Sequence, residues 1–129
     1  MSSQFRLGEC AATAFVPTRN PARAMEYYER TLGLNLVSSE LPFALVFDLQ
    51  GTTLRLTQVD ELSPAPYTVL GWSVPDIAAA ALVLMQTGVV FQRYPGMEQD
   101  DLGIWTSPSG AKVAWFKDPD RNTLSISQQ

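Results

Sequence analysis

The chain contains no histidine and a single cysteine, Cys10. Without histidine the commonest general base is missing, and so is the commonest nitrogen ligand for a metal. One cysteine rules out an intrachain disulfide and permits a reducing compartment. A thiolate nucleophile needs a base beside it, so Cys10 is expected to be a small buried residue of the first strand. No apolar run approaches the ~20 residues of a membrane span, and no basic-then-apolar pattern marks a secretion signal. A cytoplasmic location is the expectation, with no membrane partner. The formal charge of −4 argues against nucleic acid as a partner, which would want a basic face. There is no Gly-rich phosphate loop, no CxxC pair and no serine nucleophile elbow.

What is present suits one folded domain over residues 1–129, 46% hydrophobic and 17% charged. A strand is expected at 10–16, ended by Pro17. Asn20-Pro21 then reads as a helix entry, with Asn as cap and Pro in the first helical position. Ala24, Tyr27, Tyr28, Thr31 and Leu32 recur at helical spacing, and Gly33 stands where a left-handed cap ends a helix. The spacing predicts strands at 34–39, 43–49 and 52–59, with Gln50-Gly51 as a hairpin turn. After the linker Ser63-Pro64-Ala65-Pro66 the pattern restarts. It runs as a strand at 67–74, a helix entry at Pro75-Asp76, a helix at 77–87, a strand at 89–93, a loop at 94–102 and a short strand at 103–106. A closing hairpin turns through Asp118-Pro119-Asp120-Arg121-Asn122. Strand–helix–strands therefore occurs twice, at 10–60 and 67–128, and "TLGLNLV" is echoed by "QTGVVFQ". A duplication of this kind is a fold signal in itself.

The second helix is apolar nearly all round. Ile77, Ala80, Ala81, Leu84 and Met85 form one face, and Ala78, Ala79, Leu82 and Val83 leave little polar surface opposite. Such a helix is normally covered on both sides. A homodimer through residues 77–87, from Ile77 to Thr87, is the expectation, with an exposed alanine-rich helix as the alternative.

Three motifs, "FVPTRNPARAMEYYERTLGL", "SVPDI" and "FKDPDRNTLSI", resemble the vicinal oxygen chelate superfamily of glyoxalases, bleomycin-resistance proteins and extradiol dioxygenases. The resemblance covers about residues 12–127. It implies an α+β fold in which two βαβββ modules form a curled, cup-like mixed sheet. It also implies four metal-ligand positions, which fall on Thr13, Arg55, Val69 (or its neighbour Thr68) and Ser125. Hydroxyls are weak neutral donors, valine donates nothing and a guanidinium repels a cation. No metal and no cofactor are therefore expected. Superfamily enzymes rely on a Lewis acid, so its loss points away from catalysis.

A pocket remains. Strand alternation puts Thr13, Phe15 and Pro17 on one face with Thr53, Arg55, Thr57, Val69, Gly71, Thr123 and Ser125, and turns Trp72 toward the core. In the superfamily register this face is concave. The expected ligand-binding residues are Thr13, Phe15, Arg55, Thr57, Val69, Trp105 and Ser125, with Met97 and Trp105 on a loop above them. An inward arginine needs an anion, an internal carboxylate or backbone carbonyls to meet it. The expected function is metal-free binding of a small organic molecule, with an anion facing Arg55 as the charge-complementary choice. The alternatives are a metal-dependent lyase or dioxygenase, a metal-free enzyme using Arg55, and an interaction module whose cup has collapsed. Arg121 stands where the superfamily turn has glycine; a left-handed backbone there costs about 1 kcal/mol.

Overall fold

Each half of the chain builds its own four-stranded mixed sheet. The computed structural model describes residues 4–129. After a 3-10 turn at Leu7–Glu9 come β1 (Thr13–Thr18), α1 (Pro21–Glu26), β2 (Asn35–Glu40), β3 (Ala44–Leu49) and β4 (Thr52–Gln58). The second half holds β5 (Leu70–Ser73), α2 (Ile77–Gln86), β6 (Trp105–Thr106), β7 (Lys112–Lys117) and β8 (Thr123–Gln128). The strand orders are β1-β4-β3-β2 and β5-β8-β7-β6. In both halves the first strand runs parallel to the last and the other pairs are antiparallel. The duplication read from the sequence is thus a duplication of topology.

Local chemistry explains where the elements start and stop. Asn20 Oδ1 accepts the Arg23 N–H at 3.1 Å, and Pro21 occupies the first helical position. The helix widens into a single π turn at Tyr27–Thr31 and ends at Gly33, whose φ is +74°. Asp76 Oδ1 caps α2 by accepting the Ala79 N–H at 3.1 Å, and Gln128 Oε1 accepts the Ile77 N–H at 2.8 Å. Gln50 and Gly51, with φ of +52° and +94°, close the β3–β4 hairpin as a type I′ turn demands. No helix among the described residues is long and apolar enough to cross a membrane.

Alternate residues on each sheet face inward and share one core with both helices. Val16, Leu45, Phe47, Leu54 and Leu56 come from the first sheet, Ala114, Phe116, Leu124 and Ile126 from the second, and Ala24, Tyr28, Ile77 and Ala81 from the helices. Trp72 packs at the edge of this core, stacked on Phe116 at 6.3 Å, as the strand parity predicts.

Four expectations are corrected. Cys10 is exposed and precedes β1; its thiol lies 3.6 Å from the Arg6 carbonyl after the 3-10 turn. Pro17 lies within β1 instead of ending it, which an edge strand tolerates because one side of its backbone needs no partner. Residues 89–93 make one isolated bridge, Phe91 to Phe116, and no strand. Met85 joins Leu82 and Val83 on the exposed side of α2; the buried side is Ile77 and Ala81.

The closing hairpin clamps the two halves together. Asp118 Oδ1 accepts the N–H groups of Asp120 and Asn122, each at 2.9 Å. Its Oδ2 accepts the Tyr28 hydroxyl at 2.7 Å and the Asn122 amide at 2.9 Å. Asn122 also donates to the Pro17 carbonyl at 2.9 Å. Asp120, fully buried, accepts from the Thr18 hydroxyl and, at 3.0 Å, from the Arg19 N–H. Arg23 reaches the same carboxylate at 3.4 Å from the surface. Burial pushes the Asp118 carboxyl up, against hydrogen bonds from Tyr28 and Asn122 that pull it down. Burial, with Asp118 nearby, raises the Tyr27 hydroxyl to about 12 and Tyr28 further still, so both tyrosines stay neutral donors. Arg121 keeps the left-handed backbone of a glycine, with φ of +72°.

Candidate functional site

The faces turned away from the helices are the two surfaces on which ligand chemistry is available, and they differ. On the first sheet the register lines up Phe15, Arg55, Val46 and Ser38 in one row, with Pro17, Thr57, Ala44 and Glu40 beside it. Thr13 and Phe15 are exposed, Phe15 at 64%, and Thr57 is half-buried. The lone inward arginine expected from the strand pattern is half-exposed and paired: Arg55 Nη2 lies 3.2 Å from Glu40 Oε1, with its side chain 35% exposed. The internal carboxylate left open as its partner is Glu40. A β-bulge between Leu36 and Ser38 shifts the β2 register and fixes where Glu40 falls.

The second sheet carries Gly71 and Ser73 on β5 with Val69 just before it, Thr123, Ser125 and Ser127 on β8, and Val113, Trp115 and Lys117 on β7. Ser125 is 7% exposed, and the Thr68 and Ser125 hydroxyls lie 3.2 Å apart. Gly71 packs closely opposite them: a Cβ there would stand 3.0 Å from Ser125 Oγ. A cavity of about 420 Å³ opens over this face, lined by Pro66, Tyr67, Thr68, Tyr94, Met97, Trp115 and Thr123. Trp115 is its platform, with the Tyr94 ring edge-on at 5.7 Å and Trp105 tilted at 6.0 Å. That volume falls in the range of small-molecule sites.

One side chain builds the loop over this cavity. Gln99 donates to the carbonyls of Gln92 and Gly103, both at 2.9 Å, and accepts the Tyr94 N–H at 2.8 Å. It takes backbone groups that a strand partner would have satisfied, which explains why 89–93 is not a strand. Asp100 Oδ1 accepts the Leu102 and Ile104 N–H groups, both at 2.9 Å, so this acidic residue shapes the loop. Tyr94 and Met97 are thereby held beside Trp115.

Of the expected site residues, Thr13, Phe15, Arg55 and Thr57 share the first open face, and Val69, Trp105 and Ser125 the second. Val69 is 38% exposed and Trp105 half-buried. Trp115, Tyr94 and Tyr67 were not anticipated. Hairpin register contained the signal for Trp115: it pairs directly with Ser125, already assigned to the open face. A further cleft of about 480 Å³ runs between the β3–β4 turn and β5. Its carboxylate, Asp48, is engaged with the Gly51 N–H at 3.0 Å and serves the turn.

The family model for the glyoxalase/bleomycin resistance protein/dioxygenase superfamily matches residues 6–126. The chain belongs to that superfamily. No curated protein matches it. Among solved structures it is similar to a lactoylglutathione lyase from Agrobacterium tumefaciens (13% identity, 93% of each chain, TM-score 0.72). It is also similar to a superfamily member from Sphaerobacter thermophilus (23% identity, 93% of this chain and 97% of that one, TM-score 0.71). TioX from Micromonospora sp. ML1 is a third (15% identity, 92% of this chain and 98% of that one, TM-score 0.68). At such identities these likenesses show the fold alone. The positions that the sequence resemblance matches to metal ligands do not fit a cation. Arg55 is committed to Glu40, Ser125 and Thr68 pair as neutral hydroxyls, and Val69 has no donor atom. Among the described residues no three of His, Cys, Asp and Glu cluster together.

Proposed function

We propose that this superfamily member binds a small, planar organic molecule without a metal, on the open face of its second sheet. The observation that carries the reading is the 420 Å³ cavity floored by Trp115 and Thr123 and walled by Tyr67, Tyr94 and Met97. Aromatic side chains supply large contact area at low entropic cost. No carboxylate and no histidine lines this cavity, so it lacks a general base, and binding rather than turnover is what its chemistry supports. An open cavity of this size also counts against a collapsed cup. The test is a thermal-shift and tryptophan-fluorescence screen of planar aromatic compounds, repeated with Trp115→Ala. Saturable quenching that disappears in the variant is expected. Hits that bind Trp115→Ala equally well would move the site elsewhere. In the same assay nickel and zinc are expected to leave the melting temperature unchanged; stoichiometric stabilisation by either would reinstate the metal-dependent reading.

We also infer that a second copy of the chain covers α2. Leu82, Val83 and Met85 are exposed at 50%, 60% and 45%. No charged residue occurs between Ile77 and Gln86, so two copies can meet there without like-charge repulsion. Light scattering at micromolar concentration is expected to give twice the 14.2 kDa of one chain, and Val83→Lys to halve that mass. A single-chain mass for the unsubstituted protein rejects this.

A further inference from the structure

Lys117 is a half-buried cation with no ion-pair partner among the described residues. The ion pairs among the described residues join Arg19 and Arg23 to Asp120 and Arg55 to Glu40; none includes Lys117. Its ammonium donates to a neutral atom, Thr123 Oγ1, at 2.8 Å. Thr123 in turn donates to the Ala65 carbonyl at 3.0 Å, which fixes the hydroxyl with a lone pair toward Lys117. An ammonium carries three donors, and a partly desolvated one is stabilised by a charged acceptor. The chain has 13 acidic residues, yet none is placed against this one.

Lys117 also sits next to the aromatic cavity. It lies two residues from Trp115 on the same face of β7, and it pairs with Thr123, a floor residue of the aromatic cavity. Lys117 stands outside the cavity lining and reaches its floor through Thr123; the lining itself is aromatic, aliphatic or hydroxylic, with no competing carboxylate. We propose, resting on the binding function above, that the ligand class is a planar aromatic carboxylate: its ring lies against Trp115 and Tyr94, and its carboxylate accepts from the Lys117 ammonium. This assigns anion recognition to Lys117 in place of Arg55, whose charge Glu40 already meets.

The experiment compares 2-naphthoate with its neutral isostere 2-naphthamide by tryptophan fluorescence and calorimetry, using the full chain. Naphthoate is expected to bind at least tenfold more tightly. Lys117→Met should abolish that preference while leaving naphthamide affinity within about twofold, and Lys117→Arg should restore most of it. Trp115→Ala should weaken both compounds. Equal binding of the two by the unsubstituted chain, still lost in Trp115→Ala, overturns the carboxylate assignment and leaves the aromatic site standing. A preference for naphthoate that survives Lys117→Met but disappears in Arg55→Ala overturns the assignment to Lys117. Failure of both compounds to bind at millimolar concentration overturns the binding function together with this inference. Circular dichroism of each variant separates loss of binding from loss of fold.

Discussion

The two halves of this protein share one topology and present opposite surfaces. On the first sheet the charged pair Arg55 and Glu40 satisfies itself across the strands, and Phe15 stands exposed with nothing above it. On the second sheet a loop of about ten residues holds Tyr94 and Met97 beside Trp115, and the cation Lys117 has only a neutral partner. The inner faces are nearly interchangeable, since both contribute branched and aromatic residues to one core. Duplication therefore constrains the buried side of each sheet, where packing density leaves little freedom. The open side is free to diverge. The aromatic cavity lies on the open side of the second sheet.

The comparison would break most completely if the halves were separated, and Asp120 is the residue to remove. Asp120→Ala takes away the acceptor of the buried Thr18 hydroxyl and the Arg19 N–H. Leaving such groups unpaired costs about 3 kcal/mol, and the half-exposed Arg19 and Arg23 add little because solvent screens them. Urea denaturation should show that loss, with a melting temperature lower by roughly 10 °C. A change below about 1 kcal/mol would mean the clamp is incidental and the shared apolar core alone joins the halves.

The next test opposes the aromatic residues of the two open faces. Trp115→Ala should weaken a planar ligand by about 30-fold, or ~2 kcal/mol, through lost stacking area. Phe15→Ala should leave affinity within about twofold, because Phe15 belongs to the other sheet and is 64% exposed. Matching losses would show that both faces converge on one ligand. That result would mean that one ligand bridges the open faces of both sheets.

How far the sequence carried these conclusions depends on the range of the interactions involved. The caps Asn20 and Asp76 and the turns at Gly33 and Gln50-Gly51 are local, and each was readable from a few neighbours. Strand parity is nearly as local, so Trp72 in the core and Arg55 on the open face were also legible. The partner of Arg55 was not, because Glu40 is 15 residues away and its position depends on a bulge. Tyr94 and Met97 were illegible for a related reason. Gln99 replaces a strand with side-chain hydrogen bonds, and no periodicity announces that exchange. Trp115 is the instructive case, since its pairing with Ser125 followed from the hairpin register alone.

A smaller effect separates the two hairpin turns. The β3–β4 turn has a glycine at φ +94°, whereas the β7–β8 turn forces Arg121 to φ +72°. Arg121→Gly should stabilise the chain by about 1 kcal/mol, or roughly 3 °C in melting temperature, by relieving the Cβ clash. The gain is partly offset by the greater freedom glycine gives the unfolded chain. A loss of stability instead would mean that the Arg121 side chain makes up for its own backbone strain.

The smallest expected change comes from Arg55, and it is the sharpest statement of how the halves differ. Arg55→Ala removes a pair that is 35% exposed on one side and 51% on the other. Exposed pairs contribute about 0–1 kcal/mol, so denaturation should move by less than that. Because Glu40 already meets the guanidinium charge, an anionic ligand gains little from approaching it, and naphthoate affinity should stay within twofold. The same substitution at Lys117 is expected to cost at least tenfold, although both side chains are cations on the open face of a duplicated sheet. What separates them is the neighbour each has been given, a carboxylate for Arg55 and a hydroxyl for Lys117. Calorimetric titration of the two variants side by side checks that contrast, and equal losses would mean that net charge, not the local partner, draws the ligand in.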